Sequence, residues 1–552
     1  MLANNTDSYI AIDAGGSRLR GYESINDTHF EGTGVIHSNN LAIDLAQKVV
    51  AAIPAGISET QTVVLSLAAI PQKNDDRQLL AAAILQRLKF TTLIFVSDTK
   101  AAALSGKVDA ELTIAIGTGI TAYVKTPKES FELTGHGYLI GDEASGFWIG
   151  RNGVNAALRS AEGRGAETTL LKSAVDFFNC PAPALADHLH QLAAPVTQIA
   201  AFAPLVMSAA HAGDKQAKSI VSESVKEITS LIQAGIERGK ISTVALIGGA
   251  IPHGGLLHSQ VLIASKDLGI AFVEGTAEPL VGACKIAVDT NLQSELDKVS
   301  AEQIETHIWS KLYLLNSQSL LGQVAITQQD SVAASVKLFA DALSANKLIH
   351  TFGTGHSHLL AEEIFYRAGG LAPIYPILDE RLMLHTEVVK GSQYERLPDL
   401  AKELLLKHPI AAGDVVIVIS NSGGNQVTID LVNLAKANGA KVIAVTSVNH
   451  ATSSAARSRA TQKIHQLADV VLDNSGVVGD ASVRVAGSLM SVGPTSTVIG
   501  GALLQSVIVG AVAELIKRGI EPEIFLSSNL ANGDENNAAL FDKYRALINL
   551  YN

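Results

Sequence analysis

Short apolar runs alternate with alanine-rich, helix-like stretches along most of this chain, and the alternation occurs in two separate series. The first series extends from Asp7 to about Asp289 and contains TVVLSLAAI, TTLIFVSD, LTIAIGTG and STVALIGGA. The second contains KLIHTFGTG, APIYPIL, DVVIVIS, KVIAVTS and DVVLD. Strands that alternate with helices favour α/β folds. We expect mixed sheets in the first series and, because the later strands are continuously apolar, a parallel sheet buried on both faces in the second.

A charged stretch from Asn291 to Leu315 separates the two series. It has a helical period and no strand signal. We therefore predict one domain over residues 1–290, a helical linker over 291–318 and a second domain over 319–552. A length of 552 residues is enough for several lobes.

The charge of the chain argues against some classes of binding partner. The net charge is −11 and no cluster of Lys and Arg occurs, which argues against nucleic acid and anionic membranes. With only Cys180 and Cys284, neither a disulfide framework nor a thiolate zinc site is expected. The start, MLANNTDSYI, lacks the pattern of a secretion signal. These features predict a protein of the reducing cytoplasm.

One segment has the composition of a membrane span. Val498 to Ile516 is strongly apolar, but Gln505 and Glu514 interrupt it. We predict a buried helix of the second domain here.

Two glycine-rich turns in the first series point to a ligand. DAGGSRLRG covers Asp13 to Gly21 and AIGTGITAYV covers Ala115 to Val124. Each follows an apolar run, Tyr9 to Ile12 or Leu112 to Ile116, and then resumes a strand-like alternation. Glycine lets a ligand approach the backbone N–H groups. We expect two β-hairpins that close on the phosphates of one nucleotide, with ordinary hairpin turns as the alternative.

These turns belong to an ordered set of five segments. The others are VSDTKAAALSG (Val96 to Gly106), GYLIGDEASGFWIGR (Gly137 to Arg151) and LIGGA (Leu246 to Ala250). Together they resemble the sugar kinases of the BadF/N-acetylglucosamine kinase type, within the actin-like, hexokinase-like ATPase superfamily. The resemblance covers nearly all of residues 7–289. It implies an α/β fold, a two-lobed ribonuclease H-like kinase, that uses ATP and Mg²⁺.

The resemblance also implies roles for individual residues. Asp98, at the carboxyl end of a strand, is the expected general base for a sugar hydroxyl, with a helix N-cap as the alternative. Asp13 is expected to hold Mg²⁺ through water. The expected donors to the nucleotide phosphates are Gly15, Gly16, Ser17, Arg18, Gly117, Thr118 and Gly119. Ser17 stands where Thr is commoner and Arg18 where Lys is commoner. Gly248 and Gly249 are expected to flank the adenosine.

Sugar selection is assigned by the same resemblance to Gly141, Asp142 and Glu143 and to Asn39 and Asn40. Amides and carboxylates suit several sugar hydroxyls at once. A plain turn is the alternative for the two asparagines. Trp148 is more typical of core packing than of a sugar platform.

Two segments of the second series carry another resemblance. FGTGHSH covers Phe352 to His358, and ISNSGGN covers Ile419 to Asn425. They resemble the SIS (sugar isomerase) domain, a flavodoxin-like α/β/α sandwich whose Ser-x-Ser-Gly-x-Thr loop binds phosphosugars, with Asn425 in place of Thr. Hydroxyls and glycine backbone at a helix N-terminus make an anion site, and simple helix capping is the alternative. The expected phosphosugar residues are Ser357, His358, Ser420, Asn421, Ser422, Gly423 and Asn425, with Ser496 and Thr497 either facing the ligand or capping.

The acid–base residues of this second site are less defined. ILDERLMLH places Glu380 and His385 where related isomerases and synthases keep such groups, and His358 and Glu363 compete with them. Asp480, in the loop SGVVGDAS, is a candidate lid residue.

The combined expectation is a bifunctional protein of amino-sugar catabolism. The first half phosphorylates a hexosamine, an N-acetylated one by the resemblance, and the second half converts the 6-phosphosugar through an enediol-type intermediate. One alternative is a lactyl-ether-cleaving second domain, but that branch has Glu ten residues after the Ser of its first loop, where this chain has Arg367. Another is a second domain that senses the phosphosugar without chemistry. SIS domains imply a homodimer or larger assembly.

Overall fold

The computed structural model describes residues 8–15, 18–34, 41–68, 70–192, 194–386, 388–454 and 462–551. The chain divides into two compact units, Met1–Trp309 and Ser310–Asn552. Each unit is built on its own sheets.

The first unit contains a six-stranded sheet and a five-stranded sheet. The six-stranded sheet has the order β11-β5-β4-β1-β2-β3 and the other has the order β10-β9-β6-β7-β8. Their strands are β1 (Tyr9–Ala14), β2 (Arg18–Glu23), β3 (Thr28–Thr33), β4 (Thr62–Leu67), β5 (Thr92–Ser97), β6 (Leu112–Ile116), β7 (Ile120–Lys125), β8 (Ser130–Glu132), β9 (Thr243–Ile247), β10 (Ala271–Phe272) and β11 (Asp297–Ser300).

The two sheets repeat one topology. In the first, β1, β2 and β3 form an antiparallel meander, and β4 and β5 then add in parallel beside β1. In the second, β6, β7 and β8 form the meander, and β9 and β10 add in parallel beside β6. This duplication gives the two lobes of a ribonuclease H-like kinase fold, so the predicted fold class and its mixed sheets are confirmed.

Strand β11 departs from the sequence prediction. It pairs antiparallel with β5, from Asp297 opposite Phe95 to Ser300 opposite Thr92. We expected no strand between Asn291 and Leu315, and this was wrong. The segment DKVS buries only Val299 well, so its pairing depends on the backbone and leaves no apolar run in the sequence.

Helices cover both sheets of the first unit. The inner faces of β6, β7 and β9 share a core with helices that include α4 and α9, and β1, β4 and β5 share another with α3 and α11. The helices are α1 (Leu41–Ala52), α2 (Asn74–Ile84), α3 (Asp98–Leu104), α4 (Gly146–Ala161), α5 (Leu170–Phe178), α6 (Leu185–Gln191), α7 (Pro195–Ala200), α8 (Ala203–His211), α9 (Lys215–Gly239), α10 (Leu256–Ala264), α11 (Pro279–Val288) and α12 (Thr290–Ser294).

The second unit is an α/β/α sandwich. Its sheet has the order β13-β12-β14-β15-β16, and every neighbouring pair is parallel. The strands are β12 (Ile349–Gly353), β13 (Ile374–Pro376), β14 (Val415–Ile419), β15 (Lys441–Thr446) and β16 (Val470–Asp473), and a separate hairpin joins β17 (Ala481–Val483) to β18 (Val492–Pro494). Val415 and Ile417 face one core while Val416 and Val418 face the other. The predicted parallel sheet, buried on both faces, is confirmed.

The helices of this unit lie on both faces of the sheet. They are α13 (Thr306–Thr327), which contains the division between the units, α14 (Gln329–Ser344), α15 (His358–Glu363), α16 (Val388–Tyr394), α17 (Leu400–Lys407), α18 (Gln426–Ala437), α19 (Val448–Thr452), α20 (Ile464–Leu467), α21 (Ser496–Lys517) and α22 (Gly533–Tyr544).

Helix α21 is the strongly apolar segment found in the sequence. Within the described part of the chain it is long and apolar enough to cross a membrane, and 44% of its most apolar window is buried inside the protein. Helices Pro195–His211 and Lys215–Gly239, bent by 112°, pass the same test as a pair. The inward side of α21, including Ile499, Leu503 and Val507, belongs to the core of the second unit, as predicted for a buried helix.

Candidate functional site

Both predicted glycine turns are hairpins. In the first, Ala14 pairs with Leu19, and the Gly15 N–H donates to the Arg18 carbonyl at 3.1 Å. In the second, Ile116 pairs with Ile120. Arg18 is exposed at the start of β2, whereas Gly16 and Ser17 lie outside the described residues. The hairpin prediction is thus confirmed over the part that the structure describes.

The segment GYLIGDEASGFWIGR holds the second hairpin from one side. The N–H groups of Gly146 and Phe147, at the start of α4, donate to the carbonyls of Gly117 and Thr118 at 2.8 and 3.0 Å. The buried carboxylate of Asp142 accepts from the Ile120 N–H at 3.3 Å and lies against Gly119. Asp142, predicted as a sugar ligand, therefore also supports the turn.

The other residues predicted to bind the sugar are Gly141, Glu143, Asn39 and Asn40. Gly141 donates its N–H to the Gly137 carbonyl at 2.9 Å, and Glu143 is exposed. Asn39 and Asn40 lie outside the described residues. Trp148 packs against the core of the second lobe, as its residue type predicts.

The LIGGA turn reaches the same hairpin from the other side. Ala250 donates its N–H to the Ile116 carbonyl at 3.0 Å. Gly248 has a φ of +112°, and a Cβ there would lie 2.3 Å from that carbonyl, so the turn requires glycine. A Cβ on Gly117 or Gly249 would meet nothing within 4 Å. Two predicted nucleotide segments and one predicted sugar-binding segment therefore meet at one turn, and Gly117 and Gly249 border open space.

Asp98 is the first residue of α3, directly after β5. The N-cap is Ser97, whose Oγ accepts from the Lys100 N–H at 3.2 Å, so the alternative that Asp98 caps the helix is wrong. Burial, and next the negative charge of Asp13, raise the pKa of Asp98 to about 6. A carboxylate with such a pKa suits a general base near neutral pH.

The residues on either side of Asp98 are hydrogen-bonded to the five-stranded sheet of the first unit. The Ser97 hydroxyl donates to Glu132 Oε1 of β8 at 2.5 Å, and the hydroxyls of Thr99 and Thr121, the latter on β7, form a hydrogen bond. Glu132 also adds to the rise in the pKa of Asp98. Sequence reasoning missed Glu132, which lies in no motif, and Thr121, which lies in AIGTGITAYV without any mark of this role, because only the fold brings them to Asp98.

Asp13 offers an oxygen for a hydrated Mg²⁺. Its buried carboxylate accepts from Arg20 Nη2 through Oδ2 at 2.6 Å, whereas Oδ1 has a longer contact of 3.4 Å with Ser66 Oγ. Mg²⁺ in phosphotransferases is commonly held by one or two carboxylates, the substrate phosphates and water. Asp13 beside the hairpins fits that pattern. The described residues contain no cage of three or more His, Cys, Asp or Glu side chains.

The first predicted phosphosugar loop follows β12 in the second unit. A Cβ on Gly353 would lie 2.4 Å from the Ser357 carbonyl, so the loop folds back closely on its strand. Ser357 is half-buried at the start of α15. His358 is buried, with Nδ1 in hydrogen-bond contact with the Gly355 carbonyl and Nε2 4.0 Å from Glu362. His358 is thus committed to shaping the loop.

The second loop follows β14. Ser420 Oγ accepts from the Gly423 N–H at 3.1 Å, and Ser422 is half-buried between them. Asn421 is anchored to the ends of neighbouring strands, because its Oδ1 accepts from Asn474 Nδ2 at 2.9 Å and its carbonyl accepts from Thr446 Oγ1 at 3.2 Å. Asn425 is the N-cap residue of α18, but its side chain makes no capping hydrogen bond.

Glu395 lies between these two loops and was not predicted. Its Oε2 accepts from Asn425 Nδ2 at 2.8 Å, and its carbonyl accepts from the Val427 N–H at 3.1 Å. Its Oε1 lies 3.5 Å from the position of a Cβ on Gly355. The predicted acid–base residues Glu380 and His385 are both exposed, in a short turn and the loop after it. No motif marks Glu395, because its position follows from the way the segment after α16 returns to the sheet.

The start of α21 is capped by Asp480. Its Oδ1 accepts from the N–H groups of Thr495 and Ser496 at 3.2 and 2.9 Å, and its Oδ2 accepts from Ser496 Oγ at 2.6 Å. Asp480 is therefore bound to the helix, and the Ser496 hydroxyl is already committed. Thr497 is exposed.

A groove between α15 and α21 contains Thr497. Its volume is about 600 Å³, and its lining includes Glu362, Glu363 and Gln505. Glu363 forms an ion pair with Arg367 and accepts from Gln505 Nε2 at 3.3 Å. Arg367, at the position where the ether-cleaving branch has Glu, is thus bound to a carboxylate.

The sequence families agree with this architecture. Residues 39–287 match the BadF/BadG/BcrA/BcrD ATPase family, and residues 312–447 match the SIS domain. The fold and the site define a sugar-kinase-like ATPase unit joined to an SIS phosphosugar-binding unit, and ATP use follows from the first family.

A UPF0309 protein of Listeria innocua is 41% identical over 231 residues, which are 42% of this chain and 94% of that relative. A UPF0309 protein of Geobacillus thermodenitrificans is 39% identical over 221 residues, which are 40% of this chain and 89% of the relative. Over about two fifths of its length, the chain belongs to the UPF0309 family.

Two solved structures each match a part of the chain. A ROK family glucokinase from Streptomyces griseus, solved with glucose and AMPPNP, covers 50% of this chain and 98% of its own, with 15% identity and a TM-score of 0.34. The phosphoheptose isomerase GmhA from Neisseria gonorrhoeae covers 37% of this chain and 97% of its own, with 16% identity and a TM-score of 0.26.

Proposed function

We propose that the first unit is a MgATP-dependent kinase that phosphorylates the 6-hydroxyl of an N-acetylated hexosamine. The observation that carries this proposal is Asp98, a carboxylate with a raised pKa at the end of β5, beside Asp13 and tied to the lobe that holds the second hairpin. An ATPase that transfers the phosphoryl group only to water needs no sugar pocket, so the sugar specificity is the part to be tested.

In this proposal, each site residue of the first unit has its own role in phosphoryl transfer. Asp98 accepts the proton of the sugar hydroxyl as its oxygen attacks the γ-phosphorus and the bond to the β-phosphate breaks. The N–H groups of the two hairpins donate to the phosphates, and Gly248 and Gly249 flank the adenosine. When bound, Mg²⁺ neutralises charge on the β- and γ-phosphates, and Asp13 would hold it through water. Asn39, Asn40, Gly141, Asp142 and Glu143 orient the sugar.

A substrate panel tests this assignment. The purified protein is incubated with MgATP and single hexoses, hexosamines and N-acetylhexosamines, and proton and phosphorus NMR follow the sugar and the nucleotide. We expect a 6-phosphate to form fastest from an N-acetylhexosamine. ADP release without any sugar phosphate would contradict the proposal.

We further propose that the second unit binds the resulting 6-phosphosugar and converts it by an isomerase-type reaction. Backbone and hydroxyl donors of the two loops hold the phosphate, with Ser357 in the loop after β12 and Ser422 and Gly423 in the loop after β14. In this proposal, Glu395 removes a proton from the carbon beside the carbonyl of the open-chain sugar and returns it to the next carbon. Glu380 and His385 remain candidates for the second acid–base group.

A sensor without chemistry is the second candidate for this unit. It is favoured by the carboxylates around the loops, since Glu395, Glu363 and Asp480 are all hydrogen-bonded to protein partners. The same NMR experiment separates the two, because an enzyme converts the 6-phosphosugar further whereas a sensor leaves it unchanged.

Two smaller proposals concern the setting of the protein. The cysteines Cys180 and Cys284 are unpaired, which supports a reducing cytoplasm. Exposed apolar side chains on α21, Val498, Val509 and Ile516, support self-association through the second unit. Light scattering at several concentrations tests the latter, and a monomer throughout would contradict it.

A further inference from the structure

Glu132, the last residue of β8, contacts the end of a strand that belongs to the other sheet of the first unit. Its Oε1 accepts from the Ser97 hydroxyl at 2.5 Å. Ser97 is buried, is the last residue of β5 and stands directly before Asp98. A side chain of the five-stranded sheet is therefore bound to the strand of the six-stranded sheet that leads to the proposed base.

The Ser97 hydroxyl has two partners, and each uses a different part of it. Its oxygen accepts from the Lys100 N–H at 3.2 Å, which makes Ser97 the N-cap of α3. Its single proton goes to Glu132. Because the proton is fixed in one direction, the lone pairs that cap the helix are fixed as well. Glu132 therefore orients the cap from which α3, and with it Asp98, begins.

The Asp98 carboxylate has a second support from the same sheet. Its Oδ1 accepts from Thr99 Oγ1 at 3.2 Å. Since a hydroxyl has one proton, Thr121 on β7 is the donor in the hydrogen bond that joins it to Thr99. Thr121 thus supports the side chain of the base, whereas Glu132 supports the backbone that precedes it.

The charge of Glu132 has a smaller effect on the base than other features of the site. Burial and the charge of Asp13 raise the pKa of Asp98 more than Glu132 does, and the hydrogen bonds from Thr99 also act on that pKa more strongly. The Glu132 side chain is exposed, so solvent screens its charge. The hydrogen bond to the buried Ser97 hydroxyl is therefore its main connection to the site.

We propose that Glu132 is a positioning residue for the proton acceptor of the kinase. Through Ser97 it holds the start of α3 so that the Asp98 carboxylate stays in line with the sugar hydroxyl. This inference rests on the proposed kinase function and adds to it a residue from outside the glycine-rich segments. A base must lie within hydrogen-bond reach of the proton that it takes, and a displacement of about 1 Å can lower the rate about 10²-fold.

Two conservative variants separate the reach of this side chain from its charge. Glu132→Gln keeps the length and an acceptor oxygen but removes the charge, so it should retain about half or more of kcat for sugar phosphorylation. Glu132→Asp keeps the charge but is one methylene shorter, so it should lose the contact with Ser97, and kcat should fall about tenfold or more. KM for ATP should change little in both variants. Glu129→Asp, at an exposed position of the turn between β7 and β8, is the matched control.

The Ser97→Ala background tests whether Glu132 acts through Ser97. Because the hydroxyl is absent there, Glu132→Asp should have no further effect on kcat, as expected for two residues that share one contact. An undiminished effect in this background would overturn the inference. So would normal turnover of Glu132→Asp, or a loss of turnover in Glu132→Gln as large as that in Glu132→Asp.

Amide hydrogen exchange, followed by mass spectrometry without ligand, gives a readout that does not depend on the reaction. The amides at the start of α3 should exchange about tenfold or more faster in Glu132→Asp than in the natural protein, and Glu132→Gln should resemble the natural protein. Equal exchange in all three proteins, in an active kinase, would overturn the inference alone. Failure of the natural protein to phosphorylate any sugar would overturn the proposed function, and the inference with it.

Discussion

The two units both carry glycine-rich loops that we propose bind phosphate, but the carboxylates beside those loops have different surroundings. In the first unit, Asp98 lies beside a second carboxylate, Asp13, and its pKa is raised to about 6. In the second unit, Glu395 and Asp480 each accept a hydrogen bond from a loop or helix residue next to the expected ligand. The first arrangement suits a group that takes up a proton, whereas the carboxylates of the second also hold a loop or a helix in shape. Backbone loops alone do not tell these two uses apart.

The largest expected effect is on the first site. Asp98→Asn removes the base while keeping the size of the side chain, and kcat for sugar phosphorylation should fall by about 10²–10⁴. ATP binding, measured by calorimetry, should change little. Asp109→Asn, at an exposed position of the same unit, is the control and should retain normal activity. Near-normal turnover of the Asp98 variant would remove it from the role of base.

A smaller effect on rate is expected from substitution of Glu395. This substitution tests whether a carboxylate of the second unit also moves protons, as Asp98 is proposed to do in the first. If Glu395 moves protons, Glu395→Gln should slow conversion of the 6-phosphosugar by about 10²-fold and leave its binding within a few-fold. If it only positions the loop, binding should weaken instead, because the Asn425 contact is altered. Glu521→Gln, an exposed position of the second unit, serves as the control. Binding is measured by calorimetry and conversion by NMR.

The pH profile of the kinase reaction should show the raised pKa of Asp98. Because the base must be ionised, kcat/KM should be level above about pH 7 and should fall about tenfold per unit well below pH 6. The measurement is initial rate against pH with saturating MgATP. A profile that stays level down to pH 5 would contradict the proposed base.

The smallest expected effect concerns stability. A carboxyl whose pKa is higher in the folded than in the unfolded state binds protons more readily when folded, so its ionisation destabilises the fold as pH rises through the interval between the two values. Asp98→Asn should therefore stabilise the first unit at pH 7.5, by about 1–3 kcal/mol, and have little effect at pH 4. Thermal melts at the two pH values check this. If Asp98→Asn changed the melting temperature equally at pH 7.5 and at pH 4, the stability change would come from packing and not from the charge of Asp98.

The sequence predicted most of the secondary structure and both sets of loops, because these are local features. Apolar runs such as DVVIVIS lie in strands, and the glycine turns after Asp13 and Ala115 form hairpins. The duplicated topology of the first unit left no repeat in the sequence, because the two lobes share backbone pairing and not side chains. Strand β11 was missed for the same reason, since a short edge strand requires little apolar burial.

The site residues that escaped prediction carry no local signal of their role, and this holds even for Thr121, which lies in a glycine-rich segment singled out in the sequence. Glu132, Thr121 and Glu395 reach their sites only through the pairing of distant strands or the return of a loop. In the same way, sequence alone could not distinguish a capping role for Asp98 from a free carboxylate, because the choice depends on Ser97 taking the cap. Predicted loops were therefore more secure than predicted acid–base partners.

The hydroxyl contacts on either side of Asp98 have a mechanical consequence. Ser97, the last residue of β5, is hydrogen-bonded to Glu132 of β8, and Thr99 of α3 is hydrogen-bonded to Thr121 of β7. Both β7 and β8 belong to the sheet that carries the second hairpin. A shift of one lobe against the other therefore pulls on the backbone that flanks the carboxylate. In the proposed kinase, a movement that separates the two lobes is therefore expected also to displace the Asp98 carboxylate from the phosphoryl group of ATP.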